Sequence, residues 1–157
     1  MQYRMKTHQL NTEQIEVLLS GESTGVLSTV NNDGAPYAVP VHFIYENKHI
    51  YIHGLPAGKK LDNIRQNSSV CFTVYHMDEL LLDADGKPCD TNTKYRSVII
   101  NGDASVIGDN DAKGKILGSI VKKYTPQLAD VPLPEKMVRG TAVISVEIRE
   151  ITGKFWE

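Results

Sequence analysis

The stretch Tyr51-Ile-His-Gly-Leu-Pro-Ala-Gly-Lys-Lys-Leu-Asp-Asn-Ile-Arg65 changes its periodicity midway, from the alternation of a strand to the spacing of a helix. Its opening residues are β-branched or aromatic at every second or third position, the pattern of a half-buried strand. Gly54 and Pro56 break that strand. Lys59 and Lys60 then stand at the start of a short helix, expected over 58–66, with Leu61 and Ile64 facing inward. A helix start leaves backbone N–H groups unpaired, and its dipole favours an anion; two lysines add positive charge. The arrangement suits a phosphate-bearing ligand. It also suits a solvated lysine pair after a loop, and these residues alone leave both readings open.

Short strands are expected on either side. Segment 25–30 leads into Asn31-Asn-Asp-Gly34, a turn signal; 36–45 and 49–53 read as strands joined through Glu46-Asn47-Lys48. Before them, Asn11-Thr-Glu-Gln14 has the form of a capping box, with Leu10 and Ile15 placed as a hydrophobic staple. A helix over 12–20 follows, with Ile15, Leu18 and Leu19 on its apolar face. Downstream, 70–76 is a strand and the polar run 78–93 reads as a long loop. Segments 95–101 and 103–107 are two strands, or one long strand bent at Gly102. Asp109 or Asn110 caps a helix whose stripe of Ala112, Ile116, Leu117, Ile120, Val121 and Tyr124 is core packing, ended by Pro126. An ordered connector spans 131–139, and 141–151 alternates strictly. About six strands with a few peripheral helices predict a mainly β fold, a small antiparallel barrel formed as a single domain over 1–157.

Composition narrows the partners. The 157 residues are 41% hydrophobic and 23% charged, with a net charge of −2, ordinary for a soluble domain with no reason to bind nucleic acid. No apolar run approaches the ~20 residues of a membrane span. Met1-Gln-Tyr-Arg-Met-Lys6 is followed by no apolar core of a leader, so the expected compartment is the cytoplasm. Cys71 lies in a strand-like run as a buried thiol, and Cys89 in a polar loop; neither a disulfide framework nor a zinc site is indicated.

Few residues invite chemistry. Pro40 interrupts Tyr37-Ala-Val-Pro-Val-His-Phe43, so this strand is either at an edge or bulged, the bulge freeing backbone groups for a ligand. His49 and His53 are four apart in a strand context, ~13 Å along the backbone, too far to share a metal. The chain lacks a phosphate-binding P-loop, a dinucleotide-binding glycine fingerprint and a nucleophile elbow. Asp83, Asp85 and Asp90 read as solvated. In Tyr95-Arg-Ser-Val98, Arg96 and Ser97 offer donors at the start of a strand, with Arg96 suited to phosphate or carboxylate and equally to plain solvation.

Taken in order, Gly25-Val-Leu-Ser-Thr29, Asp33-Gly-Ala-Pro-Tyr-Ala-Val-Pro-Val41, Tyr51-Ile-His-Gly54 with Gly58-Lys-Lys60, and Tyr95-Arg-Ser-Val98 with Gly102 resemble the pyridoxamine 5′-phosphate oxidase-like FMN-binding split-barrel superfamily. Within it the chain is most similar to the nitroimidazole-resistance branch, over nearly its whole length. The resemblance implies a homodimer of six-stranded antiparallel split β-barrels, with FMN in each of two clefts between subunits. It implies that Val39, Pro40 and Val41 run along the flavin ring edge, and that Lys59 and Lys60 pair with the FMN phosphate beside His53. Arg96 and Ser97 would reach the flavin from the partner chain, and Ser28 and Thr29 would line the ligand side. In the nitroimidazole-resistance branch, a histidine matching His53 is associated with the active site.

The end of the chain departs from the oxidases. They carry an Arg-Leu-x-Pro-type ending, whereas this sequence reads Ile151-Thr-Gly-Lys-Phe-Trp-Glu157, which argues against vitamin B6 oxidation. Trp156 either covers the cleft or packs on the barrel. The resemblance thus implies an FMN-dependent oxidoreductase reducing a small planar acceptor such as a nitroaromatic, with His53 as proton donor or substrate guide, or as a structural residue. The alternative is a non-catalytic flavin-binding, storage or sensor protein. Haem or a deazaflavin ranks below both.

Overall fold

The computed structural model describes residues 6–157, so Met1–Met5 of the stretch read for a leader lie outside it. Asn11 opens the fold with the expected capping box: its side chain accepts from the Gln14 N–H at 2.9 Å, and its own N–H donates to Gln14 Oε1 at 2.9 Å. Helix α1 (Thr12–Gly21) then buries Ile15, Leu18 and Leu19. Strands β1 (Thr24–Val30), β2 (Pro36–His42), β3 (Ile44–Glu46) and β4 (His49–Gly54) follow, with β3 and β4 joined by a tight turn. Asn47 and Lys48 both take left-handed backbone angles there (φ 51° and 61°), as a two-residue hairpin requires.

Helix α2 (Lys59–Gln66) leads to the two longest hairpin strands, β5 (Ser69–Leu81) and β6 (Asn92–Val106). Helices α3 (Asn110–Tyr124) and α4 (Glu135–Gly140) precede the last strand, β7 (Ala142–Trp156). All strands join one antiparallel sheet in the order β2-β1-β5-β6-β7-β4-β3. Among the described residues seven strands stand where six are expected, and their hydrogen-bonded order ends at β2 and β3 without closing into a barrel. The count rises because the run expected over 36–45 divides at Phe43, leaving β2 at one edge and β3 at the other. These edges are consecutive in the chain, with one fully buried residue between them.

The expected 78–93 loop is shorter than its polarity suggests. Past a bulge between Met77 and Glu79 the ladder continues through Glu79↔Lys94, Leu80↔Thr93 and Leu81↔Asn92. This end of the hairpin is largely exposed, so no buried face demanded apolar alternation. The other expected irregularity holds: the segments expected over 95–101 and 103–107 lie in one strand, β6, which ends at Val106 and shifts register at Asn101/Gly102. A Cβ at Gly102 would collide with the Glu147 carbonyl oxygen, so glycine permits the close approach of β7. Leu19, Leu27, Phe43, Ile50, Ile52, Leu61, Phe72 and Ile100 form the fully buried centre, where the Phe43 and Phe72 rings meet edge-on with centroids 4.9 Å apart.

Candidate functional site

The break at Phe43 leaves backbone groups that no strand pairs, and the end of α3 satisfies them. The Phe43 N–H donates to the Tyr124 hydroxyl at 2.8 Å, and that hydroxyl lies 2.7 Å from the Phe43 carbonyl oxygen and 2.6 Å from that of Ser23. Lys123 Nζ donates to the carbonyls of Glu22 at 2.7 Å and Phe43 at 3.1 Å. Burial holds the Lys123 pKa below its ordinary value, against the opposing pull of Glu22. His42, the last residue of β2, stacks on Tyr124 with ring centroids 4.8 Å apart.

Across this break β2 approaches β4, which brings His42 toward His53 and Lys60. Burial first, then the neighbouring charges of His42 and Lys60, hold His53 below its ordinary pKa of 6.5. Lys60 Nζ lies over Gly54, 3.5 Å from where a Cβ there would stand. Lys59 Nζ sits 5.3 Å from the centre of the Tyr37 ring. Among the described residues, neither lysine has a carboxylate ion-pair partner. The start of α2 has no side-chain cap either; Gly58, at φ 139°, supplies only backbone. Lys60, an uncapped helix start and His53 make a donor set whose chemistry fits a phosphate.

Asn63 fixes that helix in place. Its buried side-chain amide donates to Thr29 Oγ1 at 2.9 Å and Asn31 Oδ1 at 3.0 Å, while the Thr29 hydroxyl donates to the Tyr37 carbonyl at 3.3 Å. Thr29 is therefore engaged inside the fold, whereas Ser28 is half-buried on the opposite face of β1. Sequence reading missed Asn63, though a polar residue beside the inward-facing Ile64 was a usable signal. It also missed His42, which the β2 alternation places on the same face as Pro40.

Val39, Pro40 and Val41 lie on β2 in unbroken register with Leu27, Val26 and Gly25. Pro40 is thus tolerated because β2 is an edge strand, and no bulge is present. Val39 and Val41 pack against the core, and Pro40 is exposed. Among the described residues, the outer backbone edge of β2 is hydrogen-bonded to no other strand.

Arg96 and Ser97 are elsewhere. Consecutive residues of a strand point to opposite faces. His53 pairs with Val143, and Ser97 pairs with Lys154, on the same strand β7. That separation is about 35 Å of strand at ~3.3 Å per residue. One protomer therefore brings His42, His53 and Lys60 together, places Lys59 instead in a cavity wall with Asp33 and Asp62, and leaves Arg96 and Ser97 apart. Arg96 lines a cavity of about 250 Å³ with Asp78, Lys94, Tyr95 and Trp156. Trp156 also lies against His8, ring centroids 4.7 Å apart.

The model of the family described as pyridoxamine 5′-phosphate oxidase matches residues 11–155, and the chain belongs to that family. It is similar in structure to a proposed 5-nitroimidazole antibiotic resistance protein from Bacteroides thetaiotaomicron (TM-score 0.82, 26% identity, 94% of this chain and 86% of that one). It is also similar to the flavocytochrome Anf3 from Azotobacter vinelandii (TM-score 0.86, 24% identity, 100% and 72%). An FAD- and haem-binding protein from Mycobacterium smegmatis shares the fold as well (TM-score 0.86, 21% identity, 96% and 74%). A search of curated protein sequences gives no match. Among the described residues no helix is long and apolar enough to cross a membrane, and no cluster of metal-ligating side chains occurs.

Proposed function

We propose that this protein is a cytoplasmic FMN-dependent oxidoreductase that reduces a small planar acceptor such as a nitroaromatic, and that it works as a homodimer of split barrels. The observation that carries the reading is the meeting of Lys60 with His53 and His42 at an uncapped helix start, where, among the described residues, no carboxylate ion-pairs Lys60 and the first-turn Asp62 is taken by Arg65. Lys60 and Lys59 would hold the cofactor phosphate, and Val39, Pro40 and Val41 would lie along the ring edge, offering the unpaired edge of β2. His53 would orient the acceptor or move a proton at its imidazole. Bound FMN would supply the electron transfer itself. A single terminal phosphate suits this cluster, and FAD is the cofactor to test beside it.

The distance of Arg96 and Ser97 from His53 supports the dimer, since a second copy is needed to bring them to one ligand. Val26, Tyr75, Met77 and Ile99 are exposed on the sheet, an apolar surface of the kind that marks an interface.

The alternative, a non-catalytic flavin-binding, storage or sensor protein, is favoured by one observation. His53 is held below its ordinary pKa, so near neutral pH it is not a standing acid. Anaerobic reduction of the FMN-loaded protein with dithionite, followed by mixing with a nitroaromatic, separates the two. Reoxidation faster than that of free reduced FMN supports the enzyme; reoxidation no faster supports the alternative.

A further inference from the structure

The bulge in β5 leaves Asp78 without a register partner between Met77↔Tyr95 and Glu79↔Lys94. Bulges commonly re-aim a side chain beside a functional site. Here the released carboxylate turns to Arg96, and Arg96 Nη2 donates to Asp78 Oδ1 at 3.0 Å. The same carboxylate oxygen lies 3.4 Å from His76 Nε2, and the other nitrogen of that ring, Nδ1, is 2.6 Å from Glu22 Oε1. Glu22 is the C-cap of α1. Four side chains, from the C-cap of α1, β5 and β6, thus form one chain of contacts, Glu22–His76–Asp78–Arg96, whose last two members line the cavity shared with Lys94, Tyr95 and Trp156.

We infer that Asp78 is a positioning residue: aimed by the β5 bulge and braced by His76, it holds the Arg96 guanidinium in one orientation in the wall of this cavity. The inference rests on the reading that Arg96 belongs to the flavin site, and it adds what sets that arginine's direction. An untethered arginine side chain samples many rotamers, whereas one tied to a carboxylate meets its ligand already oriented. His76 and Glu22 in turn keep Asp78 from swinging into solvent. Asp78 touches no ligand in this account and acts only through Arg96.

The test is FMN affinity, read by flavin fluorescence on the full chain, for Asp78→Asn, Asp78→Glu, Arg96→Lys and the double variant Asp78→Asn/Arg96→Lys. Asp78→Asn is expected to weaken FMN binding about fivefold, the upper end for a half-exposed ion pair. Asp78→Glu should recover most of the loss, and Asp78→Asn should add nothing to Arg96→Lys. A structural role alone would not give rescue by glutamate together with non-additivity in affinity. If Arg96→Lys weakens FMN binding and Asp78→Asn does not, the positioning role is wrong and the Arg96 assignment stands. If Arg96→Lys leaves affinity unchanged, the placement of Arg96 in the site fails, and this inference with it. Should Asp78→Asn not fold, Asp78→Ser removes the same carboxylate and is judged by the same outcomes.

Discussion

Tyr124 and Phe43 are 81 residues apart in sequence, yet the Tyr124 hydroxyl closes both backbone groups of Phe43, at 2.8 Å from its nitrogen and 2.7 Å from its carbonyl oxygen. The sheet divides at this residue, and a helix end supplies the hydrogen bonds that the ladder cannot. His42, stacked on the same phenol, is therefore held near His53.

Tyr124→Phe removes the hydroxyl and keeps the ring. A buried N–H left without an acceptor costs about 1–3 kcal/mol. Thermal unfolding should show a midpoint lowered by about 2–4 °C per kcal/mol in a domain of this size. An unchanged midpoint would mean that water replaces the hydroxyl at the break.

Lys60→Ala should weaken FMN binding by about 1.5–3 kcal/mol, the range for a hydrogen bond to a charged group. Lys136→Ala, at an exposed position in α4, is the control and should have no effect. Equal affinities in a fluorescence titration would remove Lys60 from the phosphate site.

The His53 pKa is lowered in the folded protein, so between that value and its ordinary 6.5 the unfolded chain binds more protons. Stability should therefore fall as pH drops below 6.5, and His53→Gln should lessen the fall. Ligand binding runs the other way. A phosphate that offsets Lys60 raises the His53 pKa, so FMN should bind more tightly as pH falls from neutrality towards the His53 pKa of the free protein. Affinities measured across that range in wild type and His53→Gln check both signs.

Gly25→Ala should destabilise the fold by about 1–3 kcal/mol, because the new Cβ would overlap the Phe72 ring in a packed core. Denaturant unfolding with an unchanged slope and a lower midpoint would report it.

Where local chemistry decides structure, the sequence was readable. The Asn11–Gln14 capping box, the Asn47-Lys48 turn, the bend at Gly102 and the lysine-bearing helix start each follow from side chains within a few residues of one another. What resisted reading depends on distant partners. Nothing local tells that Tyr124, on a helical stripe read as core, bonds to Phe43, or that Asn63 spans α2 and β1. The paired ends of β5 and β6 lacked alternation because neither face is buried there. Of the site, Lys59, Lys60 and His53 stood out through their spacing, while His42 joins them only once β2 and β4 meet.

The central claim is that the cationic cluster binds a flavin phosphate, and the most direct test is the visible absorption spectrum of the protein after loading with FMN and removing the excess. The account predicts a bound-flavin spectrum in stoichiometric amount, with a raised thermal midpoint. A colourless protein whose unfolding temperature does not respond to FMN would contradict it.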